Sequence, residues 1–158
     1  MGVGKIVDIF NGKGVTESVH TKSNDDGIDR TLEYMKTGKK GLIYTNLVDF
    51  DMKWGHRNDF EAYAKGLEAF DSRLPEILAA MGEQDVLFIT ADHGCDPTVP
   101  GTDHTREYVP LLGWGRGLAA GTDLGTRKSF ADIGQTISEI FGAEAIAHGE
   151  SFWARIRR

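Results

Sequence analysis

The order of elements in this chain predicts an α/β fold, a mostly parallel sheet sandwiched by helices. Three observations carry that expectation. Gly41 to Val48 is a near-continuous apolar run, the pattern of a strand buried on both faces. Phe60, Tyr63, Ala64, Leu67, Phe70, Leu74, Ile77 and Leu78 follow helical spacing over a long stretch. Strand-like and helix-like segments alternate along the sequence, which favours parallel strands joined by helical crossovers.

Taken in order, Ile6 to Phe10 reads as a short strand, followed by a glycine-punctuated loop from Asn11 to Gly14. Thr16 to Asn24 is polar and reads as irregular. Asp25 or Asp26 is placed to cap a helix that carries Ile28, Leu32 and Met35 on one face and ends at Gly38. After the Gly41 to Val48 strand, Asn58 or Asp59 caps the long helix. Pro75 should bend or divide that helix, because proline lacks the N–H that a helix interior needs, and Gly82 should stop it. Asp85 to Thr90 and Val109 to Trp114 read as strands. Asp132 to Phe141 is a helix with Ile133, Ile137 and Ile140 inward, and Phe152 to Ile156 adds a last turn. No internal repeat or linker interrupts residues 1–158, so they read as a single metal-binding α/β core segment.

Bulk properties narrow the function classes. A formal charge of −6 argues against nucleic acid as the main partner, since phosphate-backbone binding needs a basic surface. The basic cluster Arg155 to Arg158 reads as a solvated helix end. No apolar run approaches the ~20 residues of a membrane span, so no membrane partner is expected. With one cysteine, Cys95, no intrachain disulfide can form, which suits a cytoplasmic protein. Cys95 lies two residues after His93, but no second thiol offers a zinc pairing, and it reads as a bystander.

The chemistry concentrates at strand-to-loop junctions. Val86 to Ile89 delivers Asp92 and His93 into a glycine turn, Ile-Thr-Ala-Asp-His-Gly. A second carboxylate and imidazole stand five apart in Asp51-Met52-Lys53-Trp54-Gly55-His56, and His104 follows in Gly-Thr-Asp-His-Thr-Arg. Ligands of open α/β sheets bind beyond the carboxyl ends of the strands, the edge where these residues fall. Five oxygen and nitrogen donors there suit divalent metals, and paired metals support phosphoryl chemistry. Asp51, His56 and His104 could close one face of an ion, whereas Asp92 and His93 alone give a second ion two ligands. Asp49, Asp96 and Asp103 lie nearby, and spacing singles none of them out; the same holds for the hydroxyls of Thr90, Thr98, Thr102 and Thr105.

Five blocks in order carry a family resemblance. Gly4 to Phe10, Lys22 to Gly27, Asn46 to Asp59, Thr90 to Pro97 and Gly101 to Pro110 resemble the corresponding blocks of bacterial phosphopentomutases, members of the alkaline phosphatase superfamily. The resemblance implies an alkaline-phosphatase-like core and a two-manganese isomerase that moves phosphate between C1 and C5 of ribose or deoxyribose. Carried over by motif, Asp51, His56 and His104 hold one Mn2+, and Asp92 and His93 hold the other. Lys5 is a candidate for contacting the sugar phosphate. Arg106 serves either the phosphate or a structural salt bridge. Manganese rests on the resemblance; the donor set alone also accepts zinc or iron.

Members of that family are more than twice this length, and the part that supplies a further aspartate, the phosphoryl-carrying threonine and a substrate cap has no counterpart here. The expectation is therefore the core segment only, with no catalytic nucleophile of its own and impaired or absent turnover. A complementing N-terminal chain or a homodimer is the expected partner. The competing readings are another two-metal phosphomutase or phosphatase of the same superfamily, and a non-catalytic metal-stabilised scaffold.

Overall fold

The computed structural model describes all 158 residues. It resolves into two units, one built from residues 1–81 and 93–109, the other from residues 82–92 and 110–158.

The first unit holds a small parallel sheet. Strand β1 (Gly2–Val3) lies between β2 (Ser18–Val19) and β3 (Tyr44–Thr45), parallel to both. Gly4 then turns the chain at φ +83°, where a Cβ would press on the Asn46 carbonyl oxygen at 2.6 Å. The expected strand from Ile6 to Phe10 is instead a single helical turn, α1 (Ile6–Ile9). The N–H groups of Ile9 and Phe10 donate back to the carbonyls of Lys5 and Ile6, so the backbone is satisfied locally. Only Ile6 is buried, while Ile9 and Phe10 face solvent, which a strand buried on both faces would not allow. Gly41 to Val48 likewise narrows to the two residues of β3. It is an edge strand, and Leu42 and Tyr44 are exposed rather than buried.

The helices of this unit follow the sequence more closely. Helix α2 (Asn24–Lys36) is capped by Ser23, whose hydroxyl accepts from the Asp26 N–H, so Asp26 sits inside the first turn rather than at the cap. Its Ile28 and Leu32 are buried with Val3 and Ile6. Helix α3 (Phe60–Ala80) begins at Asp59, whose carboxylate accepts from the Ala62 N–H. It packs on α2 and contributes Ile77 to the core. Pro75 lies within α3 without dividing it.

The second unit contains β4 (Leu87–Thr90) and β5 (Leu111–Trp114), paired antiparallel, with α4 (Ala131–Phe141) and α5 (Trp153–Ile156). Phe152, Leu118 and Ile156 form its centre, with Phe88 edge-on to Phe152 at 5.6 Å between ring centroids. Asp132, almost fully buried, is compensated on both sides. Its Oδ2 accepts from Arg127 Nε at 2.8 Å and its Oδ1 from the Glu150 N–H at 2.9 Å. No helix of the structure is long and apolar enough to cross a membrane.

Candidate metal centre

Beyond the carboxyl end of β3 the chain enters a π-helical turn, Phe50–Trp54, followed by a 3₁₀ turn, Gly55–Arg57. Aromatic packing fixes this segment against α3. Phe50 meets Trp54 and Tyr63 edge-on, each at 5.2 Å. Trp54 lies against Gly66 of α3 so closely that a Cβ there would collide with its ring. Asp51 and His56 thereby project from a backbone held against α3.

A second pair of segments brings in the other imidazoles. Gly94 and Thr105 form an antiparallel bridge, with the Thr105 N–H donating to the Gly94 carbonyl at 3.1 Å. Gly94 is needed there, because a Cβ would meet the Thr105 carbonyl oxygen at 2.6 Å. The Thr105 hydroxyl accepts from the Asp96 N–H at 2.7 Å and donates to Glu107 at 2.5 Å, locking the two segments together. His93 and His104 each precede a bridged residue, and their rings stack with centroids 3.7 Å apart. Asn58, in the left-handed region at φ 53°, ties the loop between them to the 3₁₀ turn. Its amide donates to the carbonyls of Val99 at 2.9 Å and Pro97 at 3.2 Å.

Around a single oxygen, Oδ1 of Asp51, three imidazole nitrogens gather. Nε2 of His56 lies at 3.1 Å, Nε2 of His104 at 3.2 Å and Nε2 of His93 at 3.7 Å. Two of these rings are anchored at their other nitrogen. His56 Nδ1 contacts the Thr102 carbonyl, and His93 Nδ1 lies 3.0 Å from the Gly94 carbonyl. A carbonyl can only accept, so both Nδ1 atoms donate, and Nε2 is the atom each ring turns toward the carboxylate. Lone pairs facing a carboxylate oxygen repel unless a cation or added protons lie between them. Asp51, His93 and His104 present ligand atoms within 4.8 Å of one another, a spacing that fits a divalent cation, with His56 on the same carboxylate oxygen.

The remaining sequence candidates fall as follows. Asp92 follows the end of β4 in the second unit, one residue before the division that precedes His93. Lys5 is exposed after the β1 turn, and its Nζ lies 2.7 Å from Met52 Sδ, beside Asp51. Arg106 is exposed next to Thr105. Asp49 does not join the donors; it bonds the N–H of Asn24 and the ammonium of Lys53. Asp96 accepts from the hydroxyl and N–H of Thr98, which hold its carboxyl below the usual range. Cys95 is the group the sequence undervalued. Its Sγ, the Asp51 carboxylate and a His56 nitrogen lie within 4.8 Å of one another. The only sequence signal was its place two residues after His93. Burial first, and then the charges of Asp51, Glu107 and Asp96, push the thiol above its ordinary pKa.

The comparisons with known proteins identify the family of the chain. The model of the metalloenzyme superfamily matches residues 3–145. The chain belongs to the metalloenzyme superfamily. Within it, the chain is 71% identical to a protein named phosphopentomutase from Clostridium novyi (strain NT), over 99% of this chain and 40% of that protein. It is 60% identical to the phosphopentomutase of Clostridioides difficile (strain 630), over 96% of this chain and 39% of that protein. A third relative, the phosphopentomutase of Kosmotoga olearia, is 62% identical over 95% and 39% respectively. The chain thus spans about two fifths of the length of the relatives it matches. Membership of the superfamily implies a metal cofactor, and the α/β fold with its parallel sheet accords with it.

Proposed function

We propose that these residues form the metal-binding part of a phosphopentomutase, which moves phosphate between C1 and C5 of ribose or deoxyribose through two Mn2+ ions. The observation that carries the reading is the convergence of three Nε2 atoms on Asp51 Oδ1. The substrate class and manganese draw support from the relatives' shared name and from the five sequence blocks.

Asp51, His56 and His104 hold one ion, and His93 with its sequence neighbour Asp92 offers donors to the second. Bound divalent ions supply charge neutralisation on the attacking and leaving oxygens of a transferred phosphoryl group. The protein's own part is to orient the donors: Thr102 and Gly94 fix ring orientation through their carbonyls, and Asn58 holds the loop that leads to His104. Lys5 and Arg106 are exposed cations flanking Asp51 and His104 in sequence or space, suited to attract a sugar phosphate.

Two of the loop hydroxyls are engaged by neighbouring side chains and backbone. Thr105 bonds Glu107 and Asp96, and Thr98 bonds Asp96. The phosphoryl carrier is assigned to residues outside these 158, which alone bind metal with little or no turnover. The test uses the purified chain with Mn2+, ribose 1-phosphate and a bisphosphate activator. Stoichiometric Mn2+ binding that Asp51→Asn and His104→Ala abolish, with negligible ribose 5-phosphate, is the expected result. Absence of Mn2+ binding contradicts the metal reading, and robust conversion contradicts the assignment of the carrier elsewhere.

A further inference from the structure

The clustered donors contain two overlapping sets. One joins Asp51, His93 and His104, all oxygen and nitrogen. The other joins Asp51 and His56 with Cys95, adding a sulfur. Hard ions such as manganese favour carboxylate and imidazole, whereas zinc, cadmium and cobalt bind thiolate strongly. The ligand atoms of a tetrahedral ion with bonds of about 2.0–2.3 Å stand roughly 3.3–3.8 Å apart. A set already within 4.8 Å therefore reaches that geometry by an approach of about 1 Å. Gly55 makes the approach of sulfur possible, since a Cβ at that position would collide with Cys95 Sγ. The ring of His56, anchored at Nδ1 by Thr102, belongs to the sulfur set, while His93 and His104 belong with Asp51 to the other.

We propose that Cys95, with Asp51 and His56, forms a second metal site selective for thiophilic divalent ions, overlapping the manganese site and competing with it. The proposal rests on the assignment of Asp51 and His56 as metal ligands, and it adds a metal specificity which that assignment does not contain. Occupation by such an ion releases the thiol proton to solvent, forms a metal–sulfur bond, and draws Asp51 and His56 toward Cys95 and away from His104. Manganese and zinc then exclude one another, so the identity of the bound metal depends on their relative concentrations.

Cobalt(II) is the probe, because bound cobalt reports its ligands by absorption. Titration of the wild-type chain is expected to give a near-ultraviolet thiolate-to-cobalt charge-transfer band that saturates at one ion and disappears in Cys95→Ser. In the same variant the ratio of zinc to manganese affinity should fall at least about tenfold. Cys95 is the sole cysteine, so alkylation offers a second measurement on the unaltered chain. Zinc or cadmium should protect the thiol at least about tenfold more than manganese at equal occupancy. Ligand-field bands without a charge-transfer band, together with equal protection by zinc and manganese, overturn the sulfur site and leave the manganese reading standing. Failure of cobalt, zinc and manganese alike to bind overturns both.

Discussion

Asn24 and Asp49 clasp one another through reciprocal hydrogen bonds. The Asn24 N–H donates to Asp49 Oδ2 at 2.9 Å, and the Asp49 N–H donates to Asn24 Oδ1 at 3.0 Å. The bond pair joins the first residue of α2 to the residue that opens the π-helical turn, two positions before Asp51. A buried carboxylate that orients a neighbouring donor segment acts on the metal centre through the backbone. Asp49→Ala should therefore cost about 1–3 kcal/mol by leaving the Asn24 N–H without its partner. It should also weaken metal binding. Urea unfolding and Mn2+ titration check the two effects separately.

Asn58 offers a cleaner test of donor positioning. Asn58→Gly keeps the left-handed backbone, for which glycine is well suited, and removes only the amide that bridges Pro97 and Val99. Manganese affinity should fall about tenfold or more, as for other outer-shell partners, with secondary structure unchanged by circular dichroism. Retained affinity would show that the loop leading to His104 needs no tether.

Packing beneath the π-helical turn is tight. Gly66→Ala gains helix propensity of about 1 kcal/mol, but its methyl collides with the Trp54 ring. Overpacking of this kind costs about 1–3 kcal/mol, so the net effect should be destabilising. Gly117→Ala, which meets nothing within 4 Å, serves as the matched control and should be near neutral. Thermal melts of the two variants decide the comparison.

Acid sensitivity should appear at the start of α2. Asp26 accepts from the Lys22 N–H at 2.9 Å, and that bond, with the nearby Arg30 guanidinium, lowers its pKa. A carboxylate with a lowered folded pKa adds stability above its unfolded pKa and loses it as pH falls through that value toward the folded one. The stability difference between wild type and Asp26→Asn should thus be present at neutral pH and vanish in acid. A pH series of denaturant midpoints measures it, and a constant difference across the series would contradict the assignment.

In the second unit, Asp132 is the residue whose loss should matter most. Asp132→Ala leaves the Arg127 guanidinium and the Glu150 N–H without their acceptor. Removing one member of a buried ion pair costs about 3–5 kcal/mol. Hydrogen exchange localised to residues around Phe152 would identify the effect with this core.

Much of this architecture was readable in the sequence because its signals are local. Helices α2, α3 and α4 announce themselves by apolar spacing, by capping residues and by Gly142 at the end of α4, which adopts φ 63°. Their ends differ from expectation by a residue or two, as at Ser23, where a serine competes with the following aspartates for the cap. Strands were harder. Ile6 to Phe10 has a strand-like composition, but Gly4 turns the chain and the backbone closes on itself as a helical turn. The antiparallel pairing of β4 with β5 depends on contacts between distant residues, which no short window contains. At the metal centre, the motifs pointed to Asp51, His56, Asp92, His93 and His104 as donors, of which the three histidines gather on Asp51. The roles of Asn24, Asp49 and Asn58 were invisible, since they arise from backbone contacts across 25 to 41 positions. Cys95 was discounted for want of a second thiol, whereas its neighbours in space are a carboxylate and an imidazole.

The central claim is that Asp51, His56 and His104 share one cation. Anomalous diffraction at the manganese edge, from crystals of the chain grown with Mn2+, tests it most directly. The account predicts a strong peak in direct coordination contact with Asp51 Oδ1 and the Nε2 atoms of His56 and His104. A peak remote from these atoms, or none at saturating Mn2+, would contradict it.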